Sequence, residues 1–153
     1  MEGGWIGVLF GEFRHSIDAK NRVSIPSKMR DELGGEFVIA PSVRNDCLRF
    51  FSMSAWKEYL VLLKEKSRAL AETGFWLFFS KGTEVSPDSL GRVLLTKSLL
   101  DYAKLKPDTE EGRNVVIVGC GDYGEIWLES NYEKYVQSMD IDAIRRALAE
   151  SGL

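Results

Sequence analysis

Asp18-Ala19-Lys20-Asn21-Arg22-Val23-Ser24-Ile25 recurs 70 residues later as Asp88-Ser89-Leu90-Gly91-Arg92-Val93-Leu94-Leu95, and this doubling decides the fold. Further along, Phe50-Phe51-Ser52-Met53-Ser54-Ala55-Trp56-Lys57-Glu58-Tyr59 matches Ile126-Trp127-Leu128-Glu129-Ser130-Asn131-Tyr132-Glu133-Lys134-Tyr135. Between these anchors, residues 26–33 and 96–103 both carry short helical patterns, so the order of elements is the same in both halves. A unit of about 45 residues is near or below the size at which one core sustains itself. The two copies are therefore expected to share one core about a pseudo-two-fold axis, as a β-rich α+β unit with flanking helices.

Each copy reads as strand, tight turn, strand, short helix, strand, hairpin, strand, helix. Residues 14–17 and 23–25 are predicted strands around the first turn. Asp18 suits its opening position, where a carboxylate accepts backbone N–H groups. Asn21 and Gly91 hold equivalent places and are the residue types that best tolerate a positive φ. Pro26 fits the first position of a helix ending near Leu33, with Gly34 to cap it, and Thr96 fits the N-cap of its counterpart. Residues 37–40 and 47–51 give the next two strands, matched by 115–119 and 125–128. Helical spacing then runs through 55–72, and a weaker closing helix through 141–148. The aromatic run Phe75-Trp76-Leu77-Phe78-Phe79 has no resolvable period and reads best as a core segment joining the halves. The organisation is repeat 1 over 12–54, a helical and aromatic connector over 55–81, repeat 2 over 82–129 and a C-terminal helical segment over 130–153.

The chain has 153 residues, 44% apolar and 28% charged, enough to bury a core. No apolar stretch approaches the roughly 20 residues needed to span a bilayer. Met1-Glu2-Gly3-Gly4-Trp5-Ile6-Gly7-Val8-Leu9-Phe10 carries an acid and no base, a poor signal peptide. A soluble, cytoplasmic protein is expected. The net charge is −3, but it is unevenly spread. Arg14, Lys20, Arg22, Lys28 and Arg30 face one acid, Asp18, across residues 14–30, whereas residues 82–129 are acid-rich. One face can be positive on an acidic molecule, and local charge is what a phosphate backbone meets.

Catalysis needs a nucleophile, an acid–base pair or a metal. His15 is the single imidazole and lies in a strand, where it faces solvent or a neighbouring phosphate. Cys47 and Cys120 have no metal-ligand spacing and read as packing residues. Gly119-Cys120-Gly121-Asp122-Tyr123-Gly124 has the form G-x-G-x-x-G but leads into a strand, not the helix a dinucleotide requires, so it is read as a hairpin. No enzyme, cofactor or metal is expected. The doubled D-x-x-x-R unit is the better lead. Asp18 with Arg22, and Asp88 with Arg92, can be ion pairs that pin a turn, worth about 0.2–1 kcal/mol if exposed. Alternatively Arg22 and Lys20 are presented to DNA, because two-stranded ribbons fit the major groove and Arg is the commonest reader of guanine. Spacing alone leaves both readings open.

Residues 11–30, Gly-Glu-Phe-Arg-His-Ser-Ile-Asp-Ala-Lys-Asn-Arg-Val-Ser-Ile-Pro-Ser-Lys-Met-Arg, closely resemble the N-terminal signature of the MraZ family. Gly91-Arg92-Val93-Leu94-Leu95, Val116-Ile117-Val118-Gly119 and Glu125-Ile126-Trp127 resemble that family's second half. The resemblance implies a bacterial transcriptional regulator with two SpoVT/AbrB-like repeats. Such a regulator assembles into rings and binds promoter direct repeats ahead of the division and cell-wall gene cluster. It implies DNA-binding roles for Arg14, Lys20 and Arg22 and a turn-structuring role for Asp18, while Asp88 and Arg92 are read from their spacing as structuring the second turn. Double-stranded DNA and further copies of the chain are then the partners, the action is repression, and the nucleoid is the place. The family usually has Gly at the position of Asn21, often an aromatic at that of Met29, and fewer residues before Gly11. Two other classes are an antitoxin-like or RNA-binding module with the same turn, and a ring adaptor that binds no nucleic acid.

Overall fold

The strand–turn–strand units do not close on themselves. In a computed structural model, which describes residues 7–153, each unit splits its two strands between two sheets. The N-terminal reading above rests largely on residues 1–6, which lie outside the described residues. In the first copy β1 (Glu12–Ser16) and β2 (Arg22–Ser24) precede α1 (Ser27–Leu33), β3 (Phe37–Pro41), β4 (Leu48–Ser52) and α2 (Met53–Leu70). A short α3 (Trp76–Ser80) leads to the second copy: β5 (Thr83–Val85), β6 (Arg92–Leu94), α4 (Lys97–Tyr102), β7 (Asn114–Gly119), β8 (Gly124–Leu128) and α5 (Glu129–Gln137). A final α6 covers Ile141–Glu150.

The larger sheet has six strands in the order β1-β7-β8-β4-β3-β5. Exchanging the copies turns this order into its own reverse, which is the signature of the pseudo-two-fold axis. Each copy contributes an edge strand to the other: β1 pairs with β7 and β5 with β3. At the centre β4 pairs with β8, with Arg49 opposite Glu125, its own counterpart in the repeat. β2 pairs with β6 as a separate ribbon, with Val23 opposite Val93, again counterparts. The expected hairpin around Asp18–Arg22 is thus a crossover between sheets. A three-residue strand has too little to hold alone, and pairing across the axis gives both strands a partner and both valines a core to enter.

Alternation along the strands places Phe37, Ile39, Leu48, Phe50, Val115, Ile117, Ile126 and Leu128 on the side facing the ribbon, α1 and α4. Both copies fill this one core. Gly124 has no side chain because the Phe50 ring occupies its space; a Cβ there would lie 2.1 Å from Phe50 Cζ. The opposite sheet face carries matching aromatic trios that seat α2 and α5. Phe51 stacks on Tyr59 at 5.1 Å and meets Trp56 at 5.4 Å; Trp127 stacks on Tyr135 at 4.8 Å and meets Tyr132 at 5.8 Å.

Between the trios, on the axis, Arg49 Nε donates to Glu125 Oε2 at 3.2 Å. Trp127 Nε1 donates to Glu125 Oε1 at 3.0 Å, and the Arg49 guanidinium lies 4.2 Å from the Tyr123 ring centre. The pair is nearly inaccessible, with 11% and 10% of its side chains exposed. The central β3, β4, β7 and β8 follow the expected positions within a residue or so. Thr96 caps α4 as expected, its Oγ1 accepting from Leu99 N at 3.3 Å. Pro26 is the N-cap of α1, one place earlier than expected, and Gly34 donates to Arg30 O. Two packing expectations change. Within 75–79 Phe75 is buried, but Trp76 and Leu77 are exposed, because a one-turn helix can bury one side of so dense a run. Cys47 is buried; Cys120, in the turn before β8, is exposed.

Deleting one member of the axial pair strands a buried charge. We expect Glu125→Ala to cost about 3–5 kcal/mol in urea denaturation, and Arg49→Met with Glu125→Leu to restore most of it.

Candidate nucleic-acid interface

The ribbon displays alternate residues. Val23 and Val93 point into the core, so Arg22, Ser24, Arg92 and Leu94 share the outward side. Arg22 stands opposite Leu94, and Ser24 opposite Arg92. The axis therefore sets the two D-x-x-x-R arginines diagonally on one small face.

Each arginine is held by the turn before it in nearly the same way. Asp18 Oδ1 accepts from the amides of Lys20 and Arg22, both at 2.9 Å, while Oδ2 accepts from Arg22 Nε at 2.8 Å. Asp88 Oδ1 accepts from the amides of Leu90 at 3.0 Å and Arg92 at 2.9 Å, and Oδ2 from Arg92 Nε at 2.9 Å. The carboxylate thus organises the turn and fixes its arginine together. Because the bond is made through Nε, the two terminal amino groups of each guanidinium carry no protein hydrogen bond among the described residues. The bond that pins each turn thus leaves the outer edge of the guanidinium available.

Positive φ closes the design. Asn21 has φ 63° and Gly91 φ 80°. Their carbonyls then accept across the axis, from Leu95 N at 2.9 Å and Ile25 N at 3.0 Å respectively. Each turn is locked onto the strand exit of the other copy. Gly91 is glycine for a second reason: a Cβ there would lie 2.6 Å from Cζ of Arg30, whose Nε donates to Ile25 O at 2.9 Å. Arg30 is therefore tucked under the second turn.

The other basic residues fare differently. Lys20 is exposed at the tip of the first turn, with no carboxylate partner among the described residues. Arg14 lies on β1, outside the ribbon. Its Nη1 meets Glu12 Oε1 at 2.6 Å, its Nε lies 3.5 Å from Glu129 Oε2, and its Nη2 donates to Glu133. Hydrogen bonding from Arg14 holds the Glu12 carboxyl below its usual range, against the opposing effect of desolvation. Arg14 thereby ties β1 to α5. His15 is half-buried on the same side of β1 as Phe13. Sequence reasoning passed over Leu94, because an apolar residue in a strand copy reads as core until the strand's partner is known, and over Leu90 in the turn before it.

Among the described residues no group of three or more metal-ligating side chains gathers, and no helix is long and apolar enough to cross a membrane. The family model described as "MraZ protein, putative antitoxin-like" matches residues 8–75 and again 78–150. Transcriptional regulator MraZ of Clostridium acetobutylicum is 33% identical over 153 residues, covering 95% of this chain and all of that one. The protein of the same name from Acetivibrio thermocellus is 34% identical over 154 residues, with 95% and 100% covered. That from Moorella thermoacetica is 38% identical over 130 residues, with 84% and 86% covered.

Partial burial raises the Asp18 carboxyl, but bonds from the Arg22 amide and guanidinium and the Lys20 amide outweigh it and set it below its usual range. Asp88 lies low chiefly through the Arg92 amide, against desolvation. A depressed folded-state pKa stabilises above the ordinary carboxyl value, and that contribution is lost as pH falls through the folded one. We expect thermal stability to fall with acidification below about pH 4. Asp18→Asn with Asp88→Asn should be less stable than wild type at pH 7 and lose less on acidification; an equally steep acid limb in the double variant counts against the turn assignment.

Proposed function

This chain belongs to the MraZ family, and we propose that it regulates transcription by gripping DNA with its β2–β6 ribbon. The observation that carries this is the pair of axis-related arginines, each held through Nε by an aspartate with its terminal amino groups turned to no other protein group. A two-stranded ribbon fits the major groove, and the guanidinium fork suits guanine O6 and N7. Lys20 at the turn tip supplies a phosphate contact. The DNA-contacting set is Lys20 and Arg22, with Arg92 secondary. Asp18 and Asp88 order the turns. Arg14, neutralised by three carboxylates, serves as a clamp on α5.

So few positive charges on an acidic chain meet few phosphates, and one subunit should bind weakly and with strong salt dependence. We further propose a ring of copies acting as a cytoplasmic, nucleoid-associated repressor at direct repeats ahead of the division and cell-wall gene cluster. Several linked ribbons gain effective concentration, on the order of 10²–10⁴-fold, without a new contact type. Support for assembly comes from α6, which leaves Ile141, Ile144 and Leu148 about half exposed along one stripe. The antitoxin-like reading has the family description in its favour; a toxin that co-purifies and displaces DNA would establish it.

The test is a gel-shift series on DNA from upstream of this protein's own gene, with a scrambled control. We expect Arg22→Ala to abolish the shift while leaving oligomer mass unchanged, and Arg92→Ala to weaken it less. Affinity should collapse when repeats are reduced to one, and when about half a helical turn is inserted between them. Equal affinity for one repeat and for several in phase would refute the avidity mechanism. Equal binding of specific and scrambled DNA would refute sequence-specific regulation.

A further inference from the structure

The ribbon's halves are related by the axis but differ in chemistry. Arg22 corresponds to Arg92, whereas Lys20 corresponds to Leu90 and Ser24 to Leu94. The second half is apolar and outward: Leu94 is 59% and Leu90 68% exposed. Single exposed leucines are ordinary. Here both flank Arg92, and Leu94 also stands directly across from Arg22. Directly opposed residues in an antiparallel pair have Cβ atoms about 4.5–5.5 Å apart, so Leu94 enters whatever groove Arg22 enters. In the major groove the apolar feature on a base edge is the thymine C5 methyl group, absent from the other three bases.

We infer that Leu94 is a specificity residue that covers a thymine methyl beside the base read by Arg22, with Leu90 extending the same apolar half of the ribbon. The inference rests on the proposed DNA-binding role and adds what the arginines cannot supply. Two axis-related arginines alone would read a site equally well in either direction. Leu94 in place of a second serine breaks that equivalence, so the ribbon reads an oriented, non-palindromic element.

The experiment compares two duplexes amplified from the region upstream of this protein's own gene, one with thymidine and one with deoxyuridine throughout. They differ by the C5 methyl group alone. Fluorescence anisotropy with the full chain should show weaker binding to the uracil duplex, by about fourfold for each methyl group covered. Leu94→Ser should bring the two affinities together while the remaining binding still depends on Arg22. Leu94→Val, which keeps an apolar tip, should retain part of the difference. Equal affinity of wild type for both duplexes overturns the inference, as does a Leu94→Ser variant with an unchanged ratio. A changed oligomer mass in Leu94→Ser by light scattering also overturns it, since the leucine would then belong to a contact between copies. Failure of wild type to bind even the thymidine duplex removes the DNA-binding reading itself and this inference with it.

Discussion

Everything at the ribbon depends on one constraint: β2 and β6 are three residues long and, among the described residues, pair only with each other. Pairing across the axis puts Val23 against Val93 over the shared core and leaves four alternate positions facing out. The carbonyls of Asn21 and Gly91 then reach the amides of Leu95 and Ile25, so neither turn is complete without the opposite copy. The same exchange is repeated at the sheet edges, where β1 and β5 each complete the other copy's half. A single repeat would present unpaired strand edges and half a core, and would fail to position either arginine.

The sequence makes the local part of this legible. The copied turn, the Asx-type aspartate, the positive-φ positions and the order of elements all follow from residues close together in the chain. The partners of the strands do not. A period of two says which side of a strand is buried, but not whether β2 lies beside β1 or beside β6, 70 residues away. A hairpin is the natural local reading of Asp18–Arg22, and the crossover defeats it because the long-range pairing buries more. Exposure at Trp76 and Leu94 was hidden for a related reason: apolar character marks a residue as able to be buried, while geometry decides whether it is. The candidate site shows the same division. Asp18 and Arg22 are legible as a pair, but which guanidinium nitrogen the carboxylate takes is set by the three-dimensional geometry of the turn.

The axis also shows what duplication within one chain allows. In a symmetric dimer of single repeats, the residue at the centre of β4–β8 would face its own copy, and two arginines or two glutamates there would be buried like charges. With both copies in one chain the position holds Arg49 against Glu125, satisfied further by Trp127 and Tyr123. Such a pair adds little net stability over an apolar one, but it tolerates only the correct register, since a one-residue slip would leave both charges unpaired. The ribbon uses the same freedom for its surface, where Lys20 and Ser24 have diverged from Leu90 and Leu94 without disturbing the core beneath.

Charge placement follows from this separation of surface and core. Arg14 is basic in the sequence but is paired with Glu12, Glu129 and Glu133 on the exposed surface, so its charge is largely offset locally. At the ribbon each aspartate offsets about one charge at Nε, yet the guanidinium's outer edge remains its most positive surface, and Lys20 adds to it from the turn tip. Outside the ribbon the second repeat carries more acids than bases, which disfavours a polyanion there. An overall charge of −3 is therefore compatible with the proposed binding of DNA through one face. A uniformly basic surface would bind any duplex in any pose. Under the proposed assembly, a small positive ribbon on an acidic body would need the correct approach for each contact and would gain affinity through the number of ribbons engaged, not through the charge on each.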